Sequence, residues 1–457
     1  MIVTNGTSLT AKFAVPRQSR LSKIGQDARL HLVLILGGAG AAVSLGAMAG
    51  YHPLGVVEAA VTAGCLTVVV GRPEVGLIVL MATLPLETTL GGQQTGGLLT
   101  PSKIAGGLAF VGFVANALLT RRRLTGDPGY AVLMALGALF LVSAATSLDP
   151  SNSAIGVLRL VSFLGLYVLV TQLGNATLLR RAVWALTLGS GVAAAVSLAT
   201  FGTTLIARPN SGDPNDFAFL LSAVLPLTLW LASRQRGAAR LLAGGAAATV
   251  TVCVPLTLSR GALVGLAVGT TWHLLTSRRH RLFLVSALTC LACVAAALSL
   301  SAPRSLQEAV SRKETVSSYN VSSRQQAWEV ALRLAAANPV TGVGPGNFDL
   351  YYRKLTDTPA QAFGLAVSHN TYLDLAAESG PAGLLLLLLL LGASMSRLNA
   401  AVRERRGPPG LAEVVRTSLI IASCAAVFSS QEYAAPLWLL FAFASLLARE
   451  QPCASCM

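Results

Sequence analysis

Charged side chains are scarce here: Asp, Glu, Lys and Arg make up 12% of the 457 residues, about half the share of an ordinary soluble domain. That scarcity excludes a chain that folds in water behind an ionised surface. The shortage is mainly acidic, with 19 Asp and Glu against 34 Lys and Arg and a net charge of +15. In a soluble protein such an excess would suggest nucleic acid, but these basic residues sit between apolar runs, so no nucleic-acid partner is expected. Histidine is sparse too. His31, His52, His273 and His280 lie in segments away from His369, and no histidine cluster has metal-ligand spacing. The connections expected outside the membrane also lack the adjacent acidic pairs that hold Mg²⁺ or Mn²⁺. No metal and no other cofactor is therefore expected.

The seven cysteines are scattered. Cys290 with Cys293, and Cys453 with Cys456, are closely spaced, but neither pair has a second pair to complete a zinc site. Residues 301–379 contain no cysteine, which excludes a disulfide there. Carboxylates inside apolar runs are almost missing as well. Glu58 is the one well inside a predicted span, far fewer than a proton-coupled pump would carry.

What the chain has is apolar length. Hydrophobic residues make up 53%, and runs of about 18 to 20 residues, enough to cross about 30 Å of hydrocarbon as helices, recur almost throughout. They lie near 32–50, 54–70, 75–91, 103–120, 130–147, 154–171, 181–200 and 216–232. Further runs follow near 240–257, 260–277, 282–300, 380–396, 411–428 and 433–448. The fold class expected is an all-α polytopic membrane protein of about 12–14 transmembrane helices.

Topology follows from the arginines. Arg72, Arg121 to Arg123, Arg180 and Arg181, Arg234 with Arg236 and Arg240, Arg278 with Arg279 and Arg281, and Arg397 through Arg406 all fall on the side of the N-terminal tail. The opposite connections, around His52, Glu87, Asp149, Asp213 and Glu432, are poor in Lys and Arg, as the positive-inside rule requires. Lys12, Arg17, Arg20, Lys23 and Arg29 precede the first run without a compact apolar core or cleavage site, so 1–31 reads as a cytoplasmic tail rather than a removed signal peptide. The expected order is this tail, a helix bundle over 32–300, a large extracytoplasmic loop over 301–379, C-terminal spans over 380–448 and a cytoplasmic tail over 449–457. Both termini are then cytoplasmic.

The 301–379 loop is the only long connection, and loops of this length are usually functional. A helix is expected inside it: Ser322 and Ser323 stand at capping-box spacing before Gln325 and Gln326, apolar Trp328, Ala331 and Ala335 share a face, and Asn338-Pro339 ends it. Gly342, Gly344 and Gly346 follow and read as a tight turn more readily than as a phosphate loop, which needs a preceding strand.

Three arginines on the outward side oppose the usual charge bias and need compensation. Arg208 precedes Asp213-Pro214-Asn215, Arg260 occupies the short Ser259-Arg260-Gly261 turn, and Arg324 stands in the first turn of the loop helix. A cation there is disfavoured by the macrodipole unless an anion binds, when helix amides and guanidinium together make a phosphate or diphosphate site. The plainer alternative is a surface arginine paired with Glu329. His369 sits where loop becomes helix, and a neutral imidazole there could act as general base on a hydroxyl with Asp374 or Glu378 nearby. Its plainer alternative is a cap or a packed polar residue.

Ser368-His369-Asn370-Thr371-Tyr372-Leu373, with Glu378-Ser379-Gly380 completing a spacing of His, a polar residue, nine residues and Gly, resembles the O-antigen ligase and O-antigen polymerase family of bacterial membrane glycosyltransferases. Arg324-Gln325-Gln326-Ala327-Trp328, Asn338-Pro339 and Gly342-Val343-Gly344-Pro345-Gly346-Asn347-Phe348 look like the start of the ligase domain. Ser259-Arg260-Gly261-Ala262 and Arg208 with Asp213-Pro214-Asn215-Asp216 are similar to the family as well, so the likeness covers about 208–383.

The resemblance implies a GT-C-like inner-membrane enzyme in which His369, Arg324 and Arg260 are catalytic, while Arg208, Asn215, Asn370, Tyr372 and Asp374 contact substrate. It implies a polyprenyl (undecaprenyl-type) diphosphate glycan donor, a glycan, lipid or protein acceptor, surrounding membrane lipid and other polysaccharide-assembly proteins as partners. The reaction would be an inverting transfer without a metal, of ligase or polymerase type. The rival reading is a lipid-linked glycan flippase or other polysaccharide transporter. Such proteins tend to show inverted repeats and ionisable or broken helices at mid-membrane, whereas polarity here is concentrated in one loop.

Overall fold

The computed structural model describes residues 71–87, 100–200, 213–277, 288, 324–356 and 367–452. The predicted spans 32–50 and 54–70, nearly all of 282–300, both tails, Ser322, Ser323 and Arg208 lie outside them. The chain divides into two compact units, Met1–Arg72 with Val111–Arg123, and Pro73–Phe110 with Leu124–Met457. In the first, the described part is chiefly 111–123, a helix end closed by the Arg122 N–H on the Ala117 carbonyl at 3.0 Å.

Regular structure among the described residues is helical, apart from one isolated bridge between Arg406 and Pro452. The helices are α1 (Pro73–Thr83), α2 (Pro101–Thr120), α3 (Gly129–Ala145), α4 (Pro150–Leu173), α5 (Ala176–Ala199), α6 (Pro214–Arg234) and α7 (Gly237–Leu256). Then come α8 (Arg260–Thr276), α9 (324–337), α10 (Phe348–Thr356), α11 (Thr371–Arg403), α12 (Leu411–Ala425) and α13 (Ala435–Arg449). Of these, α2, α4, α5, α6, α7 and α11 are long and apolar enough to cross a membrane, and α1, α3 and α13 are shorter apolar helices. The chain is an all-α multi-pass membrane protein, and every predicted run within the described residues coincides with a helix.

Helix α6 is the centre of the larger unit, with 83% of its apolar window buried behind α5, α7, α8 and α12. Phe217, Leu221 and Leu225 pack there against Ala193, Val250, Leu266 and Ile421. Because lipid is as apolar as leucine, helices in a membrane associate through close packing rather than expulsion of water, and small residues let backbones approach. Gly261, Gly265 and Gly269 show this between α8 and α12. A Cβ would fall 2.5 Å from Phe428 Cβ at Gly261, 2.7 Å from the Ile421 carbonyl at Gly265 and 2.3 Å from Ile421 Cγ1 at Gly269.

Within this unit Asp127 joins two arginine-bearing segments. Asp127 lies against Arg397 (3.4 Å) and Arg449 (3.6 Å), takes hydrogen bonds from the Gly129 N–H (2.6 Å), the Tyr167 hydroxyl (3.1 Å) and Ser445, and is almost fully enclosed. Burial alone would raise its carboxyl pKa, but the bonds from Ser445 and Gly129 and the charge of Arg397 outweigh burial and hold it below the ordinary value.

Helix α11 is broken at Gly380, whose φ of 72° and ψ of 170° are not helical, immediately before Pro381, which has no N–H. The carbonyls this leaves without helical partners are met from the glycine turn. The Val343 N–H donates to Ala377 O (2.9 Å) and the Gly344 N–H to Glu378 O (3.0 Å). Gly342, at φ 66°, leaves no room for a side chain, since a Cβ would fall 2.4 Å from the Glu378 carbonyl carbon. The Gly342–Gly346 segment is a tight turn, as the sequence suggested, and the structure adds that it caps a broken helix.

Candidate active site

The first nine residues of α11 stand before the break, and His369 lies just ahead of them. Its φ of 53° is left-handed, a conformation that costs a non-glycine residue about 1–3 kcal/mol and persists only when its surroundings over-determine it. They do so from both sides. Ahead of His369, the buried Ser368 donates its N–H to Asp374 Oδ1 (3.1 Å) and accepts the Trp328 indole N–H on its carbonyl (2.9 Å). Behind it, Asn370 caps α11 by accepting the Tyr372 and Leu373 N–H groups at 3.0 and 3.2 Å. The Thr371 N–H donates to the Ala426 and Ser429 carbonyls, and the Tyr372 hydroxyl to Ser423 O at 2.8 Å.

The segment after α12 completes the frame. The Thr371 hydroxyl donates to Ser429 O (2.7 Å) and accepts from the Gln431 N–H (2.8 Å). Ser429 Oγ and Gln431 Nε2 both donate to Asp216 Oδ1, at 3.1 and 2.6 Å, so the first turn of α6 is tied to the His369 turn. Gly261 packs on Phe428 in the same segment, which brings the start of α8, with Arg260, to this rim. The residue two before Arg260, Leu258, is also left-handed, at φ 55°.

Arg324 stands on α9 one turn before Trp328. Among the described residues it pairs with no carboxylate, because Glu329, its candidate partner, faces Arg333 at 4.0 Å instead. Burial lowers the Arg324 pKa, and the charge of Asp213 opposes this. His369 is lowered too: burial comes first, then the charge of Arg324, with Asp213 pulling the other way. The imidazole is therefore neutral at pH 7. Arg324, His369 and Asp213 thus share one electrostatic neighbourhood, while Arg260 is exposed and among the described residues makes no ion pair.

The remaining sequence candidates have structural partners. Asn215 donates its N–H and Nδ2 to Asp213 Oδ1, at 2.7 and 2.9 Å, while Asp213 caps α6. Asp374 is turned to Ser368 and Ser430, and Glu378 to Tyr433 (2.8 Å) and the Phe348 N–H (3.4 Å), so neither carboxylate is hydrogen-bonded to His369. Arg208 lies outside the described residues. Asp213 is the charge that sequence reasoning passed over. Before proline it reads as a plain helix cap, and nothing in its local pattern says that two distant segments converge on it. Glu432 lies nearby and is buried, and burial and the charges of Asp374, Glu378 and Asp216 push its carboxyl well above the ordinary range.

A search of curated proteins gives no match. Residues 245–388 match the family model described as O-Antigen ligase, a segment that holds Arg260, Arg324, His369, Asn370, Tyr372 and Asp374 but not Asp213 or Asn215. Over residues 245–388, about a third of its length, the chain is therefore similar to the O-antigen ligase family.

Proposed function

We propose that the protein transfers a glycan from a polyprenyl diphosphate donor to an acceptor hydroxyl at the outer face of the bacterial cytoplasmic membrane. What supports this reading is that burial and the charge of Arg324 lower the His369 pKa, that Arg324 has no carboxylate partner among the described residues, and that both lie inside the segment that matches the O-antigen ligase model. His369 takes the proton of the acceptor hydroxyl as its oxygen attacks the anomeric carbon. The bond from that carbon to the diphosphate oxygen breaks, and Arg324 and Arg260 stabilise the charge that leaves on the polyprenyl diphosphate. One displacement inverts the anomeric centre. Asn215, Asn370, Tyr372 and Arg208 border the sugar and diphosphate in this reading, and both termini are cytoplasmic.

The test uses the full chain in nanodiscs with a lipid-linked glycan and candidate acceptors, reading new glycosidic bonds. His369→Ala and Arg324→Ala are expected to abolish transfer while expression and insertion stay normal. Full transfer by both variants would overturn the reading, as would movement of donor across vesicles with no new bond.

A further inference from the structure

We infer that Asp374 is a positioning residue for His369, acting through Ser368 and Ser430 rather than on substrate. The inference rests on the glycan-transfer reading above and assigns one carboxylate within it. Asp374 is 2% exposed, and the protein itself engages both of its oxygens. Oδ1 accepts the Ser368 N–H at 3.1 Å, and Oδ2 accepts the Ser430 hydroxyl. Both oxygens are thus turned to the protein's own frame, and neither is hydrogen-bonded to the imidazole. The two residues it joins lie on opposite sides of the reacting group. Ser368 immediately precedes the left-handed His369, whereas Ser430 lies between Ser429 and Gln431, whose backbone groups grip Thr371. Asp374 therefore closes a ring from Ser368 through its own side chain to Ser430 and back through Thr371 to Asn370. His369 is the one residue of the turn whose side chain the ring leaves unengaged by described neighbours.

What this role requires is the shape of the carboxylate and not its charge. Asparagine fits both bonds, since its Oδ1 can accept the Ser368 N–H while its Nδ2 donates to Ser430 Oγ. Alanine fits neither. A carboxylate that served as base, or whose charge held a cation, would lose its function in both, and one that held a donor sugar would show its loss in donor KM rather than in kcat. The charges acting on His369 also come from Arg324 and Asp213, so an uncharged residue at 374 leaves its titration in place.

The experiment compares Asp374→Asn, Asp374→Ala, Ser430→Ala and His369→Ala in the full chain in nanodiscs, with kcat, donor KM and the pH profile for each. Asp374→Ala is expected to lose about 10- to 100-fold in kcat with donor KM nearly unchanged, the scale of an imidazole displaced by about an ångström. Ser430→Ala, which removes one hydroxyl and folds more readily, moves kcat the same way by a smaller factor. Asp374→Asn recovers activity to within about threefold of the parent and keeps the acidic limb of the pH profile at the parent position. If Asp374→Asn is as inactive as Asp374→Ala, or if Asp374→Ala and Ser430→Ala both keep full kcat while His369→Ala is dead, the positioning role is wrong. Full activity of His369→Ala would instead overturn the transfer mechanism beneath it.

Discussion

Replacing Trp328 by Phe tests how much one hydrogen bond adds to the apolar packing that holds α9, and with it Arg324, near the His369 turn. The indole N–H donates to the Ser368 carbonyl at 2.9 Å, and Ser368 is fully buried. Phenylalanine keeps an aromatic ring at this position of α9 but removes the donor. A buried carbonyl left without its donor costs about 1–3 kcal/mol, and Trp328 is itself half-buried, so the middle of that range applies. About 2 kcal/mol corresponds to a roughly thirtyfold shift between docked and undocked forms. Amide hydrogen exchange followed by mass spectrometry on the full chain in nanodiscs reads this directly. The peptide covering 367–375 should exchange roughly thirtyfold faster in the variant, and 324–337 should follow it, whereas α6 should not change. Unchanged exchange in both segments would refute the coupling. Faster exchange across α6 as well would show a global loss of stability and refute the local account.

Two further outcomes are expected. If neutral His369 is the base, kcat/KM falls as pH drops through its pKa, which burial and Arg324 hold below 6.5; Asp213→Asn removes a charge that raises it, so the acidic limb should move to lower pH, and a limb that stays put or moves up would contradict this. Asp127→Ala leaves Arg397 and Arg449 without their buried carboxylate and should destabilise the protein by about 3 kcal/mol or more, read by unfolding in detergent. Because the folded pKa of Asp127 lies below its ordinary value, its contribution is complete above the unfolded pKa and is lost only as pH falls through the folded one. The loss from Asp127→Ala should therefore be constant from about pH 5 to 8.

Much of the helical framework is legible residue by residue. Apolar runs mark the spans because hydrocarbon cannot satisfy a backbone that is not helical, and Asn370, Asp213 with Pro214, and Gly380-Pro381 mark helix ends through local chemistry. The same locality limits what can be read. Asp374 looks like a site carboxylate because it stands one helical turn beyond Asn370, yet its oxygens are taken up by Ser368 and Ser430, the latter some 56 positions along the chain. Asp213 looks like a cap, yet its charge also acts on Arg324 and His369. The glycines at 261, 265 and 269 carry no signal of their own until α12 is laid against them.

The sequence by itself determined an all-α membrane chain, its candidate spans, and the identity of His369, Arg324 and Arg260 as residues out of keeping with their surroundings. Each follows from a single side chain or one apolar run against water and lipid. Only the tertiary structure decided that Trp328 and Asp374 grip the residue before His369, that the segment after α12 holds the residues after it, and that Asp213 supplies the opposing charge. Those are contacts between segments tens to hundreds of residues apart, and packing alone chooses which partners meet.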